Sequence, residues 1–449
     1  MATSEPPDPI LHQMDQLSSL PDELLLTILS LLPIRAAART SVLCRHFRHL
    51  CEIVWETSPS LELISQDFPP CRTAGAHFVK MAKQILLSRS PSQPLSSLRI
   101  ELERFFRFSP YRTKPSFLKF FNSLYDKARS LGVRHLTIEG CTFSLSFLPT
   151  CSILSLIFSI TTLQSLSLSG LFGDWHQNSV IPFGVTLTNL KNLSIQTYYS
   201  ADPAQLNRLL SQLPSLEVLS IQHDSPHIFS LSSQTIRQLN LFISKYCPRH
   251  NPVELSLPSL ELLQVQNYGT LGLPHIHADI PSLRKAVVRL NFLRQNDCSA
   301  VAGLLNSISH AQELILHLKE SDYEIDPFPI LLEPGREPPK FPNLKHLEGA
   351  MCFHEHNFQA IVSLLHHSPA LQSLKLVHKA LFSMARKRKR KRDDWRSMLP
   401  QNADGNRNYV HLTNLHLGQR REFMKLAGKQ HYQNFVLLRR STNVFASLN

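Results

Sequence analysis

The chain has 449 residues and is 43% hydrophobic, a globular balance with room for two or three ordinary domains or for one small domain and a long repeat array. Its formal net charge is +13, but seven basic residues form the single run Arg386–Arg392, leaving +6 elsewhere, which argues for a local signal and against a nucleic-acid-binding face. The 14 glycines form no G-x-G-x-x-G, phosphate-loop or G-x-S-x-G motif and the eight cysteines no C-x-x-C pair, so nucleotide-binding and hydrolase classes find no support and the thiols read as reduced.

Met1–Gln16 is polar and Pro-containing, a disordered tail and not a secretory leader. Leu17–Leu63 follows, and it is dense in leucine. Pro21 suits the first turn of a helix, Asp22 and Glu23 favour its positive end, and Ser19 is the expected N-cap with Asp22 three residues on. Leu24, Leu25, Ile28, Leu29 and Leu32 recur at helical spacing until Pro33 stops the helix. Ile34–Thr40 reads as a second short helix, and Val42-Leu43 leads into a third, basic one with Arg45, Phe47, Arg48 and Leu50. A helix apolar on nearly every side needs more than one partner: its own neighbours, and another protein.

Leu-Pro-Asp-x-Leu-Leu, Ile-Leu-Ser-x-Leu-Pro and Ala-x-x-Thr-Ser-Val-Leu-Cys-Arg together resemble the F-box motif in its plant-type form. The resemblance implies docking on a Skp-family adaptor of cullin-based ubiquitin ligases, with Leu20, Pro21, Leu24, Ile28, Pro33, Val42, Leu43 and Phe47 forming or supporting the contact. Phe47 stands where such proteins usually carry tryptophan, and Cys51 where a second is common; Trp55 lies four residues further on.

Phe68–Thr73 is a Pro-containing joint, Phe78–Leu87 a basic amphipathic helix capping the first repeat, and Ser88–Ser97 a linker into a strand at Leu98–Leu102. The remainder repeats L-x-x-L-x-L from Val133/Leu136/Ile138 to Leu412/Leu415/Leu417, with starts separated by 30, 27, 26, 20, 24, 23, 28, 33, 27 and 41 residues. Most steps fall near the leucine-rich-repeat range of roughly 20–29 residues. Cys141, Asn291 and Cys352 supply the Asn/Cys position of the longer pattern, and the array is similar to the irregular repeats of plant F-box/LRR proteins. In each unit a short strand turns its second and third aliphatics inward, and the chain returns through an outer helix. Gln205–Leu213, Ala300–Ile308 and Phe358–Leu365 are the expected helices. Outward strand positions, Thr137, Glu139, Ser194, Gln196, Gln222, Gln264, Gln266 and His317 among them, are mostly neutral and polar, which suits a protein or peptide substrate better than a phosphate backbone.

Gly140–Gly173 carries no charge, but Phe147–Ile160 is too short and too interrupted to span a bilayer and reads as a buried helix. Arg386, Lys387, Arg388, Lys389, Arg390, Lys391 and Arg392 lie in the insertion at about 380–407 that stretches one repeat step to 41, and read as a nuclear-import signal. Cys352, His354 and His356, and His275 with His277, lack the further ligands that a metal site needs; no metal or cofactor is expected, and no catalytic motif appears. The expected organisation is α/β: a tail (1–16), an all-helical F-box (17–63), a linker and capping helix (64–97), and a leucine-rich-repeat solenoid, a curved parallel sheet with outer helices (98–449). The expected function is that of a non-catalytic substrate-recognition subunit of an SCF-type E3 ubiquitin ligase in nucleus or cytoplasm, joined through the adaptor to cullin and RING subunits. The alternatives are an interaction scaffold with a weakened F-box and, less favoured, a nucleic-acid-associated nuclear protein. Plant relatives of this kind often end in a further domain, which Gly418–Asn449 does not match; Phe435–Leu438 is the expected last strand.

Overall fold

A computed structural model describes residues 19–32, 34–65, 74–90, 92–102, 115–140, 155–169, 187–196, 203–223, 229–243, 252–267, 273–291, 298–319, 339–351, 364, 367–378, 408–413 and 435–437. The chain divides into two compact units, Met1–Cys141 and Thr142–Asn449.

The first unit opens with three helices, α1 (Asp22–Leu31), α2 (Ile34–Thr40) and α3 (Arg45–Thr57). Helix α1 starts two residues later than a Ser19 cap requires. Pro21 itself is the N-cap residue, and its carbonyl accepts from Leu24 and Leu25 N–H at 3.0 and 3.1 Å. Leu32 ahead of Pro33 is extended, as the crowding before proline demands. The side chain of Cys44 caps α3, accepting from Phe47 N–H at 3.4 Å. Leu25, Leu29, Ala37, Phe47, Leu50, Cys51 and Val54 form one core, with Leu20, Leu26, Leu32, Ile53 and Trp55 packed against it.

The strand β1 (Ser60–Ile64) follows at once, then α4 (Ala74–Ser88), β2 (Ser97–Glu101), α5 (Pro115–Ser130) and β3 (His135–Glu139). The three strands are parallel in the order β1–β2–β3, Leu61 facing Leu98 and Leu98 facing Leu136. The strand ladder therefore begins at Ser60, not at 98. Leu61 and Leu63 alternate with polar residues as the aliphatics of β3, β4 and β5 do, but they follow the third helix too closely to stand out as a repeat. Phe78 of α4 meets Phe120 of α5 edge-on at 6.3 Å, covering one side of the strands. Helix α5 ends in a left-handed turn at Gly132 (φ 65°), closed by Val133 N–H to Ala128 O and Gly132 N–H to Arg129 O.

Arg89, in the stretch expected to be a plain linker, is 1% exposed. Its guanidinium donates to the carbonyls of Trp55 (2.6 Å) and Ser58 (2.7 Å), at the end of α3. Lys127 of α5 in turn donates to Arg89 O at 2.8 Å. Helix C-termini leave carbonyls unpaired at the negative end of the dipole, which a cation satisfies. Burial lowers the guanidinium's proton affinity, and Glu56 acts against that shift. The helical module and the first strands are thus packed as one body, not joined by a tether.

The second unit contains β4 (Ser165–Ser169), β5 (Asn192–Gln196), α6 (Pro203–Ser211), β6 (Val218–His223), β7 (Phe229–Ser232), β8 (Gln238–Ile243), β9 (Val253–Ser256), β10 (Leu262–Asn267), β11 (Ile276–Asp279), β12 (Lys285–Asn291), α7 (Cys298–Ser307), β13 (Glu313–Lys319), β14 (His346–Met351), β15 (Ser373–His378), β16 (Asn408–Thr413) and β17 (Phe435–Leu437). Its main sheet runs β4–β5–β6–β8–β10–β12–β13–β14–β15–β16–β17, and every pairing described is parallel. The inward aliphatics of the main sheet are buried from β4 to β14, and ahead of each of these strands one carbonyl accepts two N–H groups from the next repeat, as Lys191 O does from Glu217 and Val218. This is the α/β repeat solenoid expected from the sequence, following an all-helical N-terminal module.

The return side differs from expectation in the middle. Between β6 and β12, where the repeat steps are 20, 24 and 23 residues, the chain returns through strands, and β7, β9 and β11 form a second parallel sheet ordered β11–β9–β7. Helices α6 and α7 occupy the flanking repeats, whose steps are 26 and 28. An extended segment covers the same length with about half the residues of a helix, so the short repeats take the strand. Both edges of this outer sheet are sealed. Asn207 of α6 brackets β7, donating to Ser230 O and accepting from Ser232 N–H at 3.0 Å each, and Ser307 of α7 bridges Ile276 O and Ala278 N–H of β11 at 3.4 Å. The expected helix Phe358–Leu365, apart from its buried Leu364, and the basic run lie outside the described residues, as does most of Phe147–Ile160; Ile157, Phe158 and Ile160 of that stretch are buried. Among the described residues no helix is long and apolar enough to cross a membrane.

Candidate functional site

Two surfaces carry the candidate residues. The first is on the helical module. Helix α1 is apolar on two faces: Leu25 and Leu29 are buried, whereas Leu24 (51% exposed), Ile28 (39%) and Leu31 (80%) form a stripe at i, i+4, i+7 spacing that faces solvent. Val42 (77%) and Leu43 (71%) are exposed in the turn between α2 and α3. These five are all but one of the exposed large hydrophobics among the described residues, and a concentration of that kind marks a protein-contact surface. His46 Nε2 lies 2.9 Å from Asp22, linking the starts of α3 and α1.

The remaining candidates of that motif fall elsewhere. Pro21 is exposed, Leu20 is half-buried against the core, and Pro33 lies outside the described residues. Phe47 is only 4% exposed, so it packs in the module's core and supports the surface from inside. Cys51 is fully buried as well; its thiol donates to Ala37 O at 3.1 Å, and burial pushes its pKa up. Both positions that lack tryptophan are therefore core positions, filled by smaller side chains with α2 packed close.

The second surface is the outward face of the strands. In the first unit Thr137 and Glu139 stand on β3, and Glu139 is paired with Arg99, both carboxylate oxygens at 3.1 Å. In the second unit Ser194 faces Ser220, Gln196 faces Gln222, and Gln264 faces Asn240 across parallel pairs. Polar side chains on β4–β8 satisfy one another: Ser169 donates to Gln196 Oε1 (2.6 Å), Asn240 to Ser220 Oγ (2.8 Å) and Gln238 to Asn240 Oδ1 (3.3 Å). The face then changes character. Lys285 pairs with Glu313 at 2.9 Å, and Glu348 receives Lys375 at 2.9 Å with His317 at 3.6 Å. Burial tends to raise the Glu348 pKa, but the two cations prevail and hold it below its ordinary value.

Sequence reasoning passed over Phe242, Val287, Arg289 and Glu348 on this face. Carrying the alternation through the repeats at Ile236, Leu283 and Leu344 finds all four. It also placed the repeat asparagine at 291 and missed Asn267, which is fully buried two residues beyond Val265. His275 and His277 stack with ring centroids 6.5 Å apart, and among the described residues no group of three His, Cys, Asp or Glu is set to hold a metal; Cys352, His354 and His356 lie outside them.

Comparison with known proteins agrees with this division. Residues 17–57 match the F-box domain. An FBD-associated F-box protein of Arabidopsis thaliana is 27% identical over 368 residues, covering 81% of this chain and 75% of its own length. An F-box/LRR-repeat protein of the same plant is 29% identical over 388 residues, covering 82% and 76%. A putative F-box/FBD/LRR-repeat protein, also of that plant, is 29% identical over 255 residues, 56% of this chain and 53% of its own. The helical module is thus an F-box domain, and the chain carrying it is similar to F-box/LRR-repeat proteins of plants.

Proposed function

We propose that the protein is the substrate-selecting subunit of an SCF-type E3 ubiquitin ligase. The F-box module docks on a Skp-family adaptor, and through it on cullin and RING subunits, while the outward strand face takes a protein substrate. The observation that carries this reading is the solvent-facing apolar set Leu24, Ile28, Leu31, Val42 and Leu43 on a module whose core is already complete without it. F-box domains generally bind such adaptors, and proteins of this kind are typically adaptors, not catalysts. The chain then performs no bond chemistry. It holds the substrate near the ubiquitin-loaded enzyme, raising the effective concentration of its lysines.

Co-purification with a Skp-family adaptor tests the reading. The native chain is expected to hold the adaptor, and a Leu24→Ser/Leu43→Ser variant to lose it by about a hundred-fold, since removing two leucines from an interface forfeits about 3 kcal/mol. A folded native chain that does not hold the adaptor would leave the interaction-scaffold reading in its place.

A further inference from the structure

Among the described residues, the charges on the outward face of the second unit are almost all answered within the face. Lys285 is paired with Glu313, and Glu348 with Lys375 and His317. Arg289 is the exception. It stands on β12 between Gln266 of β10 and His317 of β13 in the strand register, half-buried, and among the described residues it makes no hydrogen bond or ion pair. Glu348 stands two strands away in the neighbouring register row, that of Val287 and Ile315, and is already engaged by Lys375. A guanidinium presents five donors in a planar fork matched to a carboxylate, and one left partly desolvated without an acceptor is incomplete.

Its surroundings are not those of a solvated surface charge. Val287, two residues earlier on the same face of β12, is 6% exposed, and Ile315 stands beside it on β13. On the other side Phe242 of β8 flanks Gln266 in the same register row. Neighbouring strands lie about 5 Å apart, so a cationic fork and an aliphatic shelf sit side by side, between the self-paired polar strands β4–β8 and the ion-paired strands β13–β15.

We propose that this patch receives a segment of the substrate protein in which an Asp or Glu, bound by Arg289, adjoins an aliphatic side chain laid on Ile315, the half-buried neighbour of Val287. The proposal rests on the reading of the strand face as the substrate surface and gives that surface a chemical class. Charge complementarity selects the carboxylate. The self-paired amides to one side and the internal ion pairs to the other offer an extended segment positioning contacts without demanding further charge.

The test uses the full chain with its adaptor and immobilised synthetic peptides that carry a fixed Leu next to Glu, Gln, Lys or phosphoserine. The native chain is expected to retain the Leu-Glu set. Arg289→Gln should lose the preference for Glu over Gln by about ten-fold or more, the scale of one charge-assisted contact. Arg289→Glu should transfer the preference to Lys. Retention of no set, equal retention of Glu peptides by Arg289→Gln, or phosphoserine retained ahead of Glu would each overturn the proposal. Adaptor capture, read in the same samples, is unchanged in both variants if the proposal holds. Its failure in the native chain would instead overturn the adaptor reading, whatever the peptides do.

Discussion

The F-box surface and the strand face solve opposite problems. On α1 the apolar side chains exceed what the module's core can use: Leu25 and Leu29 are spent inside, while Leu24 and Leu31 remain in water. On the strands several polar side chains are used by one another, as in the Ser169–Gln196 and Asn240–Ser220 contacts, and among the described residues the guanidinium of Arg289 is left without an acceptor. A surface with general apolar surplus suits an obligate partner that is always the same. A surface that leaves a cation unanswered gains affinity from a partner that supplies the missing complement, and so it discriminates. The two arginines state the contrast within one residue type. Arg89 is buried and donates to two carbonyls at a helix end, whereas Arg289 is half-exposed and donates to nothing described.

The comparison can be broken most forcefully on α1. Leu29→Ala should destabilise the first unit by about 3 kcal/mol, the cost of a core cavity, whereas Leu31→Ala should stay within about 0.5 kcal/mol; chemical denaturation followed by Trp55 fluorescence separates them. Equal losses would mean that the outer stripe is not surplus. Next is Arg89→Met, which leaves the carbonyls of Trp55 and Ser58 without their donors and should cost about 2 kcal/mol. Amide exchange should speed up around Ser58 while the peptide preferences set by Arg289 stay as they are. Retained protection there would show that the clamp is not needed to fix the module on β1. The smallest effect belongs to pH. The Glu348 carboxyl titrates below its ordinary 4.5 in the folded chain, so its contribution is present above that value and is lost as the pH falls through the lower folded value. Glu348→Gln should flatten that part of the acid stability profile; an unchanged profile would contradict the role given to Lys375 and His317.

Much of the fold was legible because the repeat combines a period of two with a fixed inward set, and L-x-x-L-x-L states both. Strand positions such as Leu193/Ile195 and Leu263/Val265 follow directly from it. The outer layer was less legible. A four-residue strand such as Val253–Ser256 leaves too short a pattern to separate from a loop, and only repeat length hints that no helix fits. The F-box helices were readable from spacing, but spacing alone could not divide Leu24 from Leu25, or place Phe47 in the core, because burial is decided by α3 packing across α1. Arg89 was hidden for a different reason. In a Ser/Pro-rich stretch nothing local marks an arginine as buried, since its partners are backbone carbonyls more than thirty residues away.

The most direct measurement remains adaptor capture by the native chain, the Leu24→Ser/Leu43→Ser variant and Leu31→Ala, each with its unfolding profile recorded alongside. The account predicts capture by the native chain and its loss, with native-like stability, in the double variant. Native-like capture by that double variant, or a folded native chain that captures no adaptor, would contradict it.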